Sequence, residues 1–182
     1  MRIIGGTHRS RKIDAPKDLP LRPTTDFARE SLFNILSHRL PFENIRVLDL
    51  FCGTGAISFE FASRGAGEII SVDINDRGNR FIKEKAGEFE FKNIRPVRMD
   101  ALKFLELNTD PFDLVFADPP YEYSKYLKLT EMVLGGNALK PNGLFIVEHD
   151  SHTKLPEGER FLEKRTYGAV NFSFYQQKTE HV

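Results

Sequence analysis

Five short apolar runs rich in β-branched residues, at 45–50, 68–73, 94–99, 113–118 and 143–149, recur with enough chain between them for a crossover helix. Strands this apolar must be covered on both faces, and strands that alternate with helical segments pair in parallel. The pattern therefore predicts an α/β fold built on a doubly wound, mostly parallel sheet. Beyond residue 149 the pattern changes: 161–167 and 171–177 read as strands separated only by Gly168, Ala169 and Val170, an antiparallel hairpin that closes the sheet. Upstream, Pro16, Pro20 and Pro23 punctuate a loop that ends in the helix-capping residues Thr24, Thr25 and Asp26. Ala28, Leu32, Ile35 and Leu36 then recur at helical spacing, which predicts a helix to about His38, before Pro41.

With 182 residues and 40% hydrophobic content the chain is long enough and apolar enough for one domain with a sizeable core. It has no apolar run of the roughly 18–20 residues that span a membrane and no apolar stretch behind its basic start, so the expected location is the cytoplasm, without a signal peptide. The one cysteine and five histidines exclude an intrachain disulfide and a cysteine-rich zinc site. Lys+Arg and Asp+Glu both number 26, and a net charge of zero argues, as a sum, against nucleic acid. The distribution argues otherwise. Residues 1–39 hold eight basic and four acidic side chains, +4, which leaves −4 for the remainder. Residues 2–13, with Arg9, Arg11 and Lys12 and no acid before Asp14, read as two short strands around the Gly5-Gly6 turn, a basic hairpin; a frayed, solvated terminus is the alternative.

Chemistry concentrates where strands end. The first strand runs into Phe51-Cys52-Gly53-Thr54-Gly55, glycines that let the backbone turn and a ligand approach, and Asp73 follows at the end of the second strand, suited to a ribose diol. A dinucleotide fingerprint would place a third small residue at Ser58, and Asp49 would repel a pyrophosphate but suits an ammonium group. That combination favours S-adenosylmethionine. The third strand ends in Met99-Asp100-Ala101, where Asp100 is either an acceptor for adenine or the N-cap of the next helix, and the Ala101 amide is a ring-nitrogen donor. Cys52 reads as a packed loop residue. The fourth strand runs into Asp118-Pro119-Pro120-Tyr121, in which two prolines remove amide donors and leave acceptors. Asp118 and the Pro119 carbonyl can take the two N–H bonds of an exocyclic amine while Tyr121 stacks on its base; a rigid strand-ending turn is the bland alternative.

Residues 49–55 with Asp73, Asp100 and 118–121 resemble the Rossmann-like S-adenosylmethionine-dependent amino-methyltransferases. Residues 1–6, 22–26 and 32–36, with the chain length, are similar to the narrower RsmD family of bacterial 16S ribosomal RNA guanine-N2 methyltransferases. The resemblance implies a seven-stranded sheet with one antiparallel strand, an N-terminal β-hairpin over residues 1–24 and a methyltransferase domain over 25–182. It implies S-adenosylmethionine held by Asp49, Phe51, Cys52, Gly53, Thr54, Gly55, Asp73, Ile74, Asp100 and Ala101, with S-adenosylhomocysteine as product and no metal. Asp118, Pro119, Pro120 and Tyr121 then handle the guanine, Arg9, Arg11 and Lys12 hold phosphates, and Arg22 lines the cleft. The implied partner is 16S rRNA in the small ribosomal subunit or an assembly intermediate, met by a monomer. DNA or protein-glutamine amino-methylation, and a non-catalytic RNA-binding assembly factor, stay open as alternatives. A nicotinamide oxidoreductase is disfavoured by Asp49 and Ser58, and cytosine C5 chemistry is excluded because Cys52 is the only cysteine.

Overall fold

The computed structural model describes residues 1–16, 25–120 and 122–178, so Arg22, Tyr121 and the loop prolines Pro20 and Pro23 lie outside the described residues. Each apolar run forms a strand. The elements follow in the order α1 (Asp26–Ser37), β1 (Arg46–Leu50), α2 (Ala56–Ser63), β2 (Glu68–Asp73), α3 (Asp76–Glu88), β3 (Ile94–Arg98), α4 (Ala101–Leu107), β4 (Phe112–Ala117), α5 (Tyr126–Gly135), β5 (Leu139–His149), β6 (Phe161–Tyr167) and β7 (Val170–Gln176). The strands make one seven-stranded sheet in the order β3-β2-β1-β4-β5-β7-β6. β1 to β5 pair in parallel, and β7 runs against both of its neighbours, so β7 is the single reversed strand. β5 starts earlier than its apolar run because Leu139 pairs with Phe112 ahead of a register shift.

Burial alternates along the strands with the period of the pleat. Val47, Ile69, Leu114, Phe116 and Ile146 face α1, α2 and α3, whereas Leu48, Leu50, Val72, Val115 and Val147 face α4 and α5. α1 is capped by Thr25, whose side chain accepts from the Ala28 amide, and it buries Ala28, Leu32, Phe33 and Leu36 along one stripe. α2 differs from the others, since every residue from Ile57 to Ser63 is buried, Glu60 included. A helix buried all round needs cover on both sides. The sheet supplies one side and residues 1–13 the other, with Ile3 and Ile13 fully buried in the same core.

The amino-terminal segment differs from the expected hairpin in its turn. Its limbs run antiparallel, with a bridge between Arg2 and Lys12 and with the Ile3 and Ile13 amides donating to the Arg11 and Met1 carbonyls, both at 2.9 Å, but the chain reverses over residues 7–10 rather than at Gly5-Gly6. Gly5 and Gly6 instead lie against α2. Gly6 has φ +76°, and a Cβ there would sit 1.9 Å from the Ser63 carbonyl oxygen. The Thr7 amide donates to that carbonyl at 2.7 Å, and Ser63 Oγ donates to the Gly5 carbonyl at 2.6 Å. Glu60 accepts from the Ile4 and Gly5 amides, and it lies 3.6 Å from Arg29 Nε and 3.4 Å from Arg64 Nε. Arg29, 2% exposed, also donates to the Arg2 carbonyl at 2.7 Å. Burial raises the Glu60 carboxyl above its ordinary pKa in spite of the amides and the two guanidiniums, the usual balance for a buried ion pair. Glu60→Ala would leave two amides without their acceptor and Arg29 with Asp26, at 2.8 Å, as its remaining acid, and we expect it to cost about 2–4 kcal/mol in urea unfolding.

Candidate active site

The chain leaves β1 through a loop of unusual backbone conformation. Phe51, Gly53 and Gly55 have φ of +59°, +53° and +76°. A phenylalanine in that region is strained and persists only where its surroundings dictate it. Phe51 is gripped edge-on by Tyr123 at 5.1 Å, the Cys52 amide donates to the Val72 carbonyl at 3.2 Å, and the Gly55 amide donates to the Cys52 carbonyl at 2.7 Å. The two glycines serve different ends. A Cβ on Gly55 would lie 2.9 Å from Ile82 Cγ1, so this glycine permits the packing of α3, whereas a Cβ on Gly53 would meet nothing within 4 Å and project into open space. Gly78 of α3 completes the clamp, since a Cβ there would come within 2.6 Å of the Gly53 carbonyl oxygen.

The acids predicted from sequence gather around this loop at the carboxyl edge of the sheet. Asp73 binds the loop from the tip of β2: one oxygen accepts from the Gly53 amide at 2.9 Å and the other from the Asn75 amide at 2.7 Å. Beside it Ile74 is 70% exposed, an apolar surface at the place where a ligand would lie. Asp100 caps α4 by accepting from the Lys103 amide at 3.0 Å, yet remains exposed, so the cap leaves its carboxylate open to the same edge; Ala101 beneath it is buried. Asp118 follows β4, and its amide donates to the Leu50 carbonyl at 3.3 Å, which ties the Asp-Pro-Pro turn to the end of β1. Pro119 is buried and Pro120 exposed, with the Pro120 carbonyl accepting from the Tyr123 amide at 2.8 Å.

Asp49 is placed differently from its neighbours. It is 1% exposed, beneath the loop, with one oxygen accepting from Ser58 N at 3.1 Å and Ser58 Oγ at 2.5 Å. Ser71, its register partner on β2, lies 2.7 Å from Ser58 Oγ, which is donating to Asp49 and so accepts from Ser71. Burial pushes the Asp49 carboxyl up to about 7 against the two bonds from Ser58, and Asp73 adds to the rise. Burial, then Asp49 and Asp73, also push the Cys52 thiol well above its ordinary value, which leaves it a neutral packed side chain.

Arg9, Arg11 and Lys12 are not brought to this edge. Their segment lies along α2 and α3, where Arg11 stacks on Phe89 at 5.3 Å and His8 on Phe91 at 4.3 Å. Only the start of that segment comes near the loop, with the Thr54 hydroxyl 3.6 Å from the Met1 sulfur. Sequence reasoning missed Tyr123 and Gly78. Tyr123 packs between Phe51 and Tyr126, and its buried hydroxyl has no partner among the described residues. Burial, with Asp100 adding, pushes that phenol up to about 12, so it stays a donor. It lines an open groove of about 500 Å³ with Pro120, Glu122, Ser124 and Lys125.

A glycine loop open on one side, a carboxylate at the tip of the next strand, and an acid-Pro-Pro turn one strand away fit an adenosyl ligand with an amine beside it. This strand order and this site define the class of Rossmann-like S-adenosylmethionine-dependent methyltransferases. The chain belongs to the family described as Conserved hypothetical protein 95, whose model matches residues 1–176, which bears out the resemblance to the RsmD family. It is 32% identical to the Ribosomal RNA small subunit methyltransferase D of Haemophilus influenzae, over 97% of this chain and 93% of that one. Among solved structures, a hypothetical protein of Thermus thermophilus superposes with a TM-score of 0.84 at 28% identity, over 98% of this chain and 99% of that one. A SAM-dependent methyltransferase from Aquifex aeolicus shares the fold alone, with a TM-score of 0.60 at 16% identity over 79% of this chain and 87% of that one.

The environment of Asp49 has a measurable sign. Its folded pKa lies above the unfolded value of 3.8, so the folded state holds a proton that the unfolded state releases, and stability falls as pH rises towards about 7. In urea unfolding we expect the wild type to lose about 3 kcal/mol more than Asp49→Asn between pH 5 and pH 8.

Proposed function

We propose that this chain transfers the methyl group of S-adenosylmethionine to the exocyclic N2 of one guanine in small-subunit ribosomal RNA. The observation that carries the reading is the bond from the Asp118 amide to the Leu50 carbonyl, which sets an amine-accepting turn beside the glycine loop. When bound, S-adenosylmethionine would supply an electrophilic methyl group and depart as S-adenosylhomocysteine, while the proton that the methylated amine must lose would pass through Asp118 to solvent. Asp73 would take the ribose hydroxyls on the lone pairs that its bonds to the Gly53 and Asn75 amides leave free. Ile74 covers one face of the adenine, Asp100 and the Ala101 amide meet its edge, and the loop 51–55 lines the amino acid end above Asp49.

The guanine amine is a weak nucleophile because its lone pair is delocalised into the ring. Asp118 and the Pro119 carbonyl accept its two N–H bonds and favour the pyramidal geometry in which the lone pair points at the methyl carbon. Pro119 and Pro120 keep those acceptors fixed, and Tyr121 stacks on the base. Orientation of this kind contributes several kcal/mol to catalysis. The base reaches the rim unstacked or from a loop, the usual mode of sequence-specific recognition in RNA. The same proposal has the enzyme act in the cytoplasm as a monomer on the small subunit or an assembly intermediate, with residues 1–24 as an RNA-binding arm and 25–182 as the catalytic domain. Arg9, Arg11 and Lys12 then contact phosphates at a distance from the reacting base, and Arg22 lines the cleft.

The direct test is to incubate the protein with labelled S-adenosylmethionine and small-subunit particles from cells lacking the enzyme, then map the label. Methyl groups on guanine N2 of the rRNA are expected, and no incorporation into rRNA would refute the reading. In the same assay Asp118→Ala should abolish turnover while cofactor affinity, measured by calorimetry, changes little; a large loss of affinity would move Asp118 into the cofactor site. Reversing the charges of Arg9, Arg11 and Lys12 should weaken particle binding and reduce the dependence of log K on log salt by about 0.7–0.9 for each phosphate no longer neutralised.

A further inference from the structure

Towards the β6 edge of the sheet, away from the amino-terminal segment, an open groove of about 620 Å³ runs between α1 and β6. Asn34, His38 and Arg39 line it from one side and Glu163, Arg165 and Tyr167 from the other. β6 is antiparallel to β7, which is antiparallel to β5, so β6 points the same way as β1 and β4. Tyr167, at the end of β6, therefore stands at the sheet edge that carries Asp118. There it meets Phe27, in the first turn of α1, edge-on at 6.0 Å. Phe27 is 68% exposed, so the contact with Tyr167 leaves much of its ring to solvent. The groove thus opens beside the reacting rim at an aromatic pair and leads down to a cluster of charge at the start of β6.

The charge has a sign. Arg39 and Arg165 both bond to Glu163, the latter from Nη2 and Nε at 2.6 Å. Two guanidiniums offer ten N–H donors, and one carboxylate supplies two oxygens, so donors and positive charge are in excess. Arg165 is half-exposed, and an exposed ion pair of this kind exchanges readily for another anion. Cationic forks spaced along a groove that begins at an open aromatic ring match single-stranded RNA, with a base on the ring and phosphates on the arginines. A protein partner finds less here, since Ile35 is the one aliphatic side chain in the lining.

We propose that this groove carries the rRNA strand flanking the target guanine, with a neighbouring base stacked on Phe27 and phosphates held by Arg165 and Arg39. The inference rests on the rRNA substrate proposed above and adds to it the track by which that strand leaves the active site. Phe27→Ala and Arg165→Ala, at exposed positions, are compared with the full-length wild type on unmethylated small-subunit particles, with transfer kinetics, particle binding and calorimetric affinity for S-adenosylhomocysteine measured for each. Phe27→Ala should raise KM for the particle about ten-fold, the effect of losing one base–aromatic stack. Arg165→Ala should weaken particle binding and lower the salt slope by about one phosphate's worth of counterion release. Affinity for S-adenosylhomocysteine should stay at the wild-type value in both. Unchanged particle binding in both variants would overturn the proposal, and so would weaker binding with the full salt slope in Arg165→Ala, which points to a protein surface. Failure of the wild type to methylate rRNA would refute the parent reading instead, and the binding arm would still decide on the groove.

Discussion

The parallel pairing of β1 with β4 is the constraint on which the rest of the molecule depends. From β1 the chain winds outward through β2 to β3 and then returns to lay β4 along the other side of β1. Loops leaving two adjacent parallel strands towards opposite halves of a sheet must diverge, and a crevice opens between them. The register sets Leu50 beside Ala117, so the residues that follow, Phe51 and Asp118, start from a common level. A one-residue slip of β1 against both of its neighbours would turn Asp49 from the α2 side of the sheet to the other and separate it from Ser58 and Ser71. The glycine loop and the Asp-Pro-Pro turn are thus positioned by main-chain pairing, to which the edge-on contact of Tyr123 with Phe51 is added.

How much of this is legible in the sequence follows from the range of the forces involved. The strands are legible because a sheet covered on both faces demands continuous apolar runs, and the capping of α4 by Asp100 is legible because a cap is a local bond. The acids of the site are legible because they follow the strands directly. The positive φ of Phe51 is not, since nothing in a phenylalanine announces a conformation imposed by Tyr123, 72 positions later. Gly78 leaves a signal, a glycine inside an amphipathic helix, whose usual cause is close packing. The pair Gly5-Gly6 reads as a turn because turns are the local use of glycine. Its actual use, contact with Ser63, is tertiary. The groove between α1 and β6 joins residues 124 positions apart, Arg39 and Glu163, and no local pattern draws them together.

The neutral total charge resolves into three environments. Asp73, Asp100 and Asp118 stand at the carboxyl edge of the sheet, where Asp73 and Asp100 accept from backbone amides. Asp49 and Glu60 are buried, the first sheltered by hydroxyls and the second by guanidiniums and amides, and burial favours the proton in both. Among the basic side chains, Arg11 lies against the end of α3 on one flank and Arg39 and Arg165 beside β6 on the other, while Lys125 stands in the groove beside Pro120. On the proposed function, the acceptors at the rim suit an amine, and the guanidiniums beside β6 suit phosphates.

The cover that residues 1–13 place on α2 has a consequence for the order in which the molecule assembles. Its contacts join positions separated by 53 to 58 residues, with Glu60, Ser63 and Thr54 as the receiving sites. Closing a loop of that length costs entropy that is recovered only after α2 has a sheet beneath it to define its outer face. The first residues of the chain are therefore among the last to find their place, and until they do α2 exposes Glu60 and the apolar surface that Ile3 and Ile13 later seal. A segment that closes the structure last is also the one that opens at least cost, so the fluctuations of this fold should be concentrated at its seam with α2 while the β1–β4 pairing stays closed.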